Sequence, residues 1–164
     1  MMIRAKRKNK FSNYPFSKKW ATGVLLAFLF FHGFGLSLAI GWTGALFYLV
    51  LWALSYLVIY WGACRTCVYY GKACPVPLEG SCVHYFFKKS PENMGFSGLI
   101  CATASYGLRI GLPVGIMVHG KMTINGIVFG SVFLLFWMVH LYMTGCPNCI
   151  NESCPLNPDY QGIS

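Results

Sequence analysis

Charge is what this sequence lacks most. Only 10% of its 164 residues are Asp, Glu, Lys or Arg, where a soluble domain carries about 25%. Acidic residues are scarcer still, at four: Glu79, Glu92, Glu152 and Asp159. All four fall outside the apolar stretches, at spacings that suggest no paired acid–base work, and nothing in the sequence resembles a hydrolytic site. No aromatic base-stacking module follows the basic N-terminal run, so nucleic acid is not an expected partner. The compact Cys-x2-Cys-x2-Cys run of bacterial ferredoxins is also missing.

What the chain does have is apolar sequence, 56% hydrophobic and 17% aromatic. That composition belongs to a protein in a lipid bilayer. Residues 21–61 are almost free of charge. They are too long for one span and about right for two, because a spanning helix needs about 20 residues. The glycines of "AIGWTGA" (39–45) supply a turn, dividing Trp20–Ala39 from Trp42–Trp61. Residues 96–120 and 124–145 make a third and a fourth span. The expected fold is therefore an all-α integral membrane protein of four transmembrane helices arranged as two hairpins. Segments 20–61 and 96–145 are the hairpins. A basic segment (1–19), a cysteine-rich loop (62–95) and a cysteine-rich tail (146–164) lie outside them.

Lys and Arg near span ends stay on the cytoplasmic side. Arg4, Lys6, Arg7, Lys8, Lys10, Lys18 and Lys19 precede the first span, and Arg65, Lys72, Lys88 and Lys89 lie in the loop. In a four-span layout all of these share one face, and only Lys121 falls on the other. The expectation is a multi-pass protein of the cell membrane with both termini, the loop and the tail cytoplasmic. "SLA" (37–39) offers a rival reading as the end of a signal peptide. The basic head is long for one, and the cysteine loop would face the cytoplasm either way. "VHYFFKKS" (83–90) reads as a segment lying on the membrane surface.

Seven of the eight cysteines fall on that face, and their arrangement repeats. "YWGACRTC" places Tyr60 four residues before Cys64, with Cys67 and then Cys74-Pro75 following. "YMTGCPNC" places Tyr142 four residues before Cys146, with Cys149 and then Cys154-Pro155 following. The cytoplasm is reducing, so such thiols point to metal or redox chemistry rather than a disulfide framework. A Cys-x-x-Cys turn presents two thiolates to one metal, and two such pairs complete a tetrahedral zinc site. Cys64, Cys67, Cys74, Cys146, Cys149 and Cys154 are the first candidates. Cys82 and His84 raise the supply to eight ligands, enough for two centres. Thiolates suit zinc and iron–sulfur clusters alike, and a metal-free dithiol pair is a third reading.

Four helices with "ACP" and "SCP" after the second and fourth resemble, over residues 20–157, the membrane-bound ferredoxin-type subunits of quinol-oxidising systems. That family typically spaces its cysteines more closely, as Cys-x3-Cys-Pro, and often carries appended ferredoxin modules. The resemblance implies electron exchange between iron–sulfur centres and the quinone pool, with another membrane or cytoplasmic redox subunit as partner. The chain would then be a non-catalytic electron-transfer subunit of an oxidoreductase. Two other functions stand beside it: a zinc-stapled scaffold or assembly factor, and a transporter or sensor for a thiophilic metal.

Within the spans, Arg109 lies about 13 residues into the third, roughly 20 Å from the cysteine face. Charge at that depth faces a bundle interior or snorkels to the far surface. Cys101, Ser105 and Arg109 form one stripe, and Thr103, Gly107, Gly111 and Gly115 form another that lets a helix approach closely. His32 and His140 join the first stripe as a candidate intramembrane pocket for a quinone oxygen. Haem is the weakest option, because the two histidines differ in depth by roughly 9 Å.

Overall fold

The computed structural model describes residues 8–92, 94–120 and 122–160. Arg4, Lys6 and Arg7 of the basic head, and Lys121, lie outside these. Four long apolar helices carry the fold, each long and apolar enough to cross a membrane. They are α1 (Phe16–Leu38), α2 (Trp42–Gly62), α4 (Phe96–His119) and α5 (Thr123–Met138), the last reaching spanning length only with the helical turns that continue it to Asn148; the short α3 (Glu79–Phe86) belongs to the cysteine loop. The described residues contain no strand, only an isolated bridge between Phe11 and Cys149. The four expected spans are therefore present. The first begins earlier than expected, at Phe16, because "FSKKW" continues the helix after Pro15.

Each boundary has a local cause. Gly41 turns the chain between α1 and α2 at φ +94°, a conformation that costs glycine little. α5 runs into a π-helical turn, Val139–Thr144, rather than staying α-helical to its end. The side-chain amide of Asn148 then donates to the free carbonyls of Met143 and Thr144, at 3.1 and 3.0 Å. Pro113 is buried within α4 without ending it. Trp20, Trp42 and Trp61 are exposed near helix ends, where such rings favour a membrane interface.

The two hairpins interlock. α2 packs most extensively on α4, and α1 contacts α2, α4 and α5. The α2–α4 seam uses the Cys101–Ser105–Arg109 stripe. A Cβ added at Gly62 would clash with the Cys101 side chain, so the backbone of α2 lies directly on α4 there. The other stripe corrects an expectation. A Cβ added at Gly107, Gly111 or Gly115 would meet no neighbouring element within 4 Å, and Thr103, Gly107 and Gly111 are exposed. The polar stripe takes the helix contact because burying Arg109 requires polar partners, which α2 and the loop supply.

The segment before α1 ties loop and tail together. Lys8 and Phe11 donate backbone hydrogen bonds to Pro147 and Asn148, and Tyr14 donates one to Ala73. The Tyr14 hydroxyl donates to the Gly145 carbonyl at 2.7 Å. The Tyr69 hydroxyl donates to the Phe11 carbonyl at 2.7 Å and accepts the Ile150 N–H at 3.1 Å. The cysteine loop and the cysteine tail therefore share one face and are joined by hydrogen bonds through the N-terminal segment.

Candidate functional site: a cysteine-lined cavity

The two Cys-x-x-Cys pairs fold alike. Cys64–Thr66 and Cys146–Asn148 are both single 3-10 turns. In each, the second cysteine donates its N–H to the carbonyl of the first, at 3.2 Å and 3.3 Å. Cys67 and Cys149 have nearly equal backbone angles, φ −81°, ψ 150° and φ −80°, ψ 136°. The repeated signature thus corresponds to a repeated local structure at the ends of the second and fourth spans.

These turns face a common cavity of about 170 Å³. Cys64, Cys67, Cys74, Cys146, Cys149 and Cys154 all line it, together with Met94, Glu79, Tyr106, Trp137, His140 and Asn151. None of the eight cysteines, all within the described residues, is in a disulfide. The remaining candidates lie elsewhere. Cys82 is off the cavity, within 3.9 Å of the Ser81 hydroxyl. His84 is exposed, with its ring against Tyr85. Cys101 faces Gly62, and His32 stacks on Phe28 and approaches Phe129. Ser105 is buried on α4, its hydroxyl bonded to the Ala102 carbonyl.

Burial dominates the chemistry of these thiols. It raises the Cys67 pKa to about 12, with the neighbouring Cys149 and Cys154 adding to the rise. It also raises Cys74, with Glu79 adding to the shift and the Gly80 N–H opposing it. Cys154 is raised for the same first reason. Cys74 is positioned by its own loop: its thiol donates to the Val76 carbonyl at 2.8 Å and accepts the Gly80 N–H at 3.2 Å. A Cβ at Gly80 would come within 2.6 Å of the Lys72 carbonyl, so only glycine allows this fold-back. Among the described residues, no three Cys, His, Asp or Glu side chains converge closely enough to hold a single metal ion. The six cysteines line one cavity.

Glu79, which lines the cavity, belongs to a buried ion pair that the sequence did not suggest. Glu79 opens α3 directly after Leu78, which has φ +69°, the one non-glycine positive φ among the described residues. The loop dips between the helices here. Thr22 donates to the Pro75 carbonyl and Tyr60 to that of Leu78. Glu79 is 6% exposed and Arg109 2%. Arg109 Nη1 donates to Glu79 Oε1 at 3.1 Å, and its Nε donates to Ser55 Oγ at 2.9 Å. The guanidinium lies 4.5–5.2 Å from the ring centres of Trp52, Tyr56 and Tyr106. Helical side chains lean toward the N-terminus of their helix, which for α4 is the cysteine end. Arg109 thus reaches back toward the loop instead of snorkelling to the far surface, and Glu79 is not a solvated loop carboxylate.

No family model, no curated protein and no solved structure matches this chain.

Proposed function

We propose that this chain is a small membrane electron-transfer subunit whose cavity cysteines hold an iron–sulfur centre. The observation that carries the reading is six cysteines, from both copies of the repeated signature, lining one cavity of about 170 Å³. A mononuclear zinc site draws four ligands onto one ion. A cluster offers several irons, each taking its own thiolate, and so suits several cysteines lining one cavity. Four of the six would serve as ligands, with both Cys-x-x-Cys turns contributing. Such a centre supplies one-electron transfer.

The chain's own residues would seat and insulate it. The apolar walls, Ile59, Ala63, Val76, Leu99 and Trp137 among them, would limit water at the centre. Cys67 also lines a surface groove with Thr66, Lys89, Ser90 and Glu92. That makes it the thiol through which a cytoplasmic or membrane redox partner would gain its shortest approach. His140, in the π-helical turn that follows α5, also lines the cavity and would be the group offered to a quinone oxygen. The positive-inside bias puts this face in the cytoplasm, and the resemblance of layout to ferredoxin-type subunits points the same way.

The matching 3-10 turns at both Cys-x-x-Cys pairs support a second reading, a zinc-stapled scaffold, since paired turns are how zinc knuckles present four thiolates. Metal and acid-labile sulfide analysis of protein purified without oxygen separates the two. Iron with sulfide supports the first; zinc without sulfide supports the second.

A further inference from the structure

Asn151 follows the second Cys-x-x-Cys pair and is 3% exposed. Its backbone N–H donates to Cys149 Sγ at 3.4 Å. Its side-chain nitrogen donates to Cys67 Sγ at 3.8 Å and to Met94 Sδ at 3.4 Å. Its carbonyl accepts the Cys154 N–H at 3.2 Å. A thioether sulfur can only accept, so the amide must turn its NH2 group toward Met94 and Cys67. One residue thus joins a cysteine of the loop to two cysteines of the tail, on the wall of the same cavity.

We infer that Asn151 is a positioning residue that bridges the two cysteine motifs and sets the electron density on the sulfurs that hold the metal. The inference rests on the proposal that the cavity cysteines bind a metal. A thiolate ligand keeps lone pairs directed away from its metal, and an N–H donated to one withdraws charge from it. Such bonds favour the more negative, reduced state of a cluster and raise its reduction potential. Asn151 supplies one through its backbone and one through its amide. The amide bond is the one a substitution removes. Met94 takes the second amide hydrogen and so holds the group in the orientation that serves Cys67.

The test compares wild type with Asn151→Leu, which keeps the shape and loses the donors, and with Asn151→Ala should the larger side chain impair folding. Both are purified without oxygen and assayed for iron, acid-labile sulfide and midpoint potential. Cadmium affinity is measured on the metal-free forms. The expected result is unchanged iron and sulfide with a potential lowered by about 59 mV, tenfold for one electron. A merely structural asparagine would change cluster retention and leave the potential in place, and equal potentials at equal loading overturn the inference. Wild type that takes up no iron and sulfide sinks the electron-transfer reading instead. Cadmium then decides the role of Asn151. Affinity about tenfold weaker in the variant supports it; equal affinity, or no cadmium binding by either protein, overturns it.

Discussion

Arg109 and Glu79 form an ion pair at 3.1 Å with both side chains almost fully buried. The pair links the middle of α4 to the cysteine loop, and Glu79 lines the same cavity as Cys64 and Cys74. Removing one charge leaves the other buried without its counterion, which costs about 3–5 kcal/mol. Arg109→Met should therefore destabilise the protein by about that much. Adding Glu79→Leu should restore a large part, because the double variant buries no charge. Unfolding of the single and double variants in mixed detergent micelles measures both effects.

The α2–α4 seam gives a sharper steric test. Gly62 lies against Cys101 with no room for a Cβ, so Gly62→Ala should cost about 1–3 kcal/mol by overpacking. Cys101→Gly in the same chain should relieve most of the loss. A rescue would establish Cys101 as a helix-packing residue, and unfolding midpoints read it directly.

Tyr69 holds the N-terminal segment to the tail with one hydroxyl that both donates and accepts. Tyr69→Phe strands the Phe11 carbonyl and the Ile150 N–H, at a cost of about 1–3 kcal/mol. Trypsin should then cut after Lys10 measurably faster than in wild type. The bilayer-embedded helices should show no change in their own proteolysis.

The spans were legible because long charge-poor runs break only where Gly41 or polar loops interrupt them. The six cavity cysteines were legible because a Cys-x-x-Cys pair followed by a Cys-Pro step is written twice. Glu79 was not. It is a lone carboxylate in turn-like sequence, and its partner Arg109 comes from another hairpin, so no local pattern links them. The glycine stripe of α4 misled for a related reason. Spacing shows which residues share a helix face but not which face the protein uses. Phe11 and Tyr14 were hidden by the lysines around them, which read as a topology signal. Asn151 had only one mark in sequence, its place two residues after Cys149.

Orientation has its own check. A reporter that is active only outside the cell, fused after the tail, should stay silent, and one that fluoresces only in the cytoplasm should light. The reverse pattern would put the cysteine face outside and remove the reducing environment on which a metal reading draws.

The most direct test of the central claim is iron and acid-labile sulfide content, measured on anaerobically purified wild type and on single Cys→Ser variants. The account predicts iron and sulfide in matched amounts in wild type. Content should fall in variants at Cys64, Cys67, Cys146 or Cys149, whereas Cys82→Ser and Cys101→Ser, which lie off the cavity, should retain it. Wild type free of iron and sulfide, or full content after loss of the paired cysteines, would contradict it.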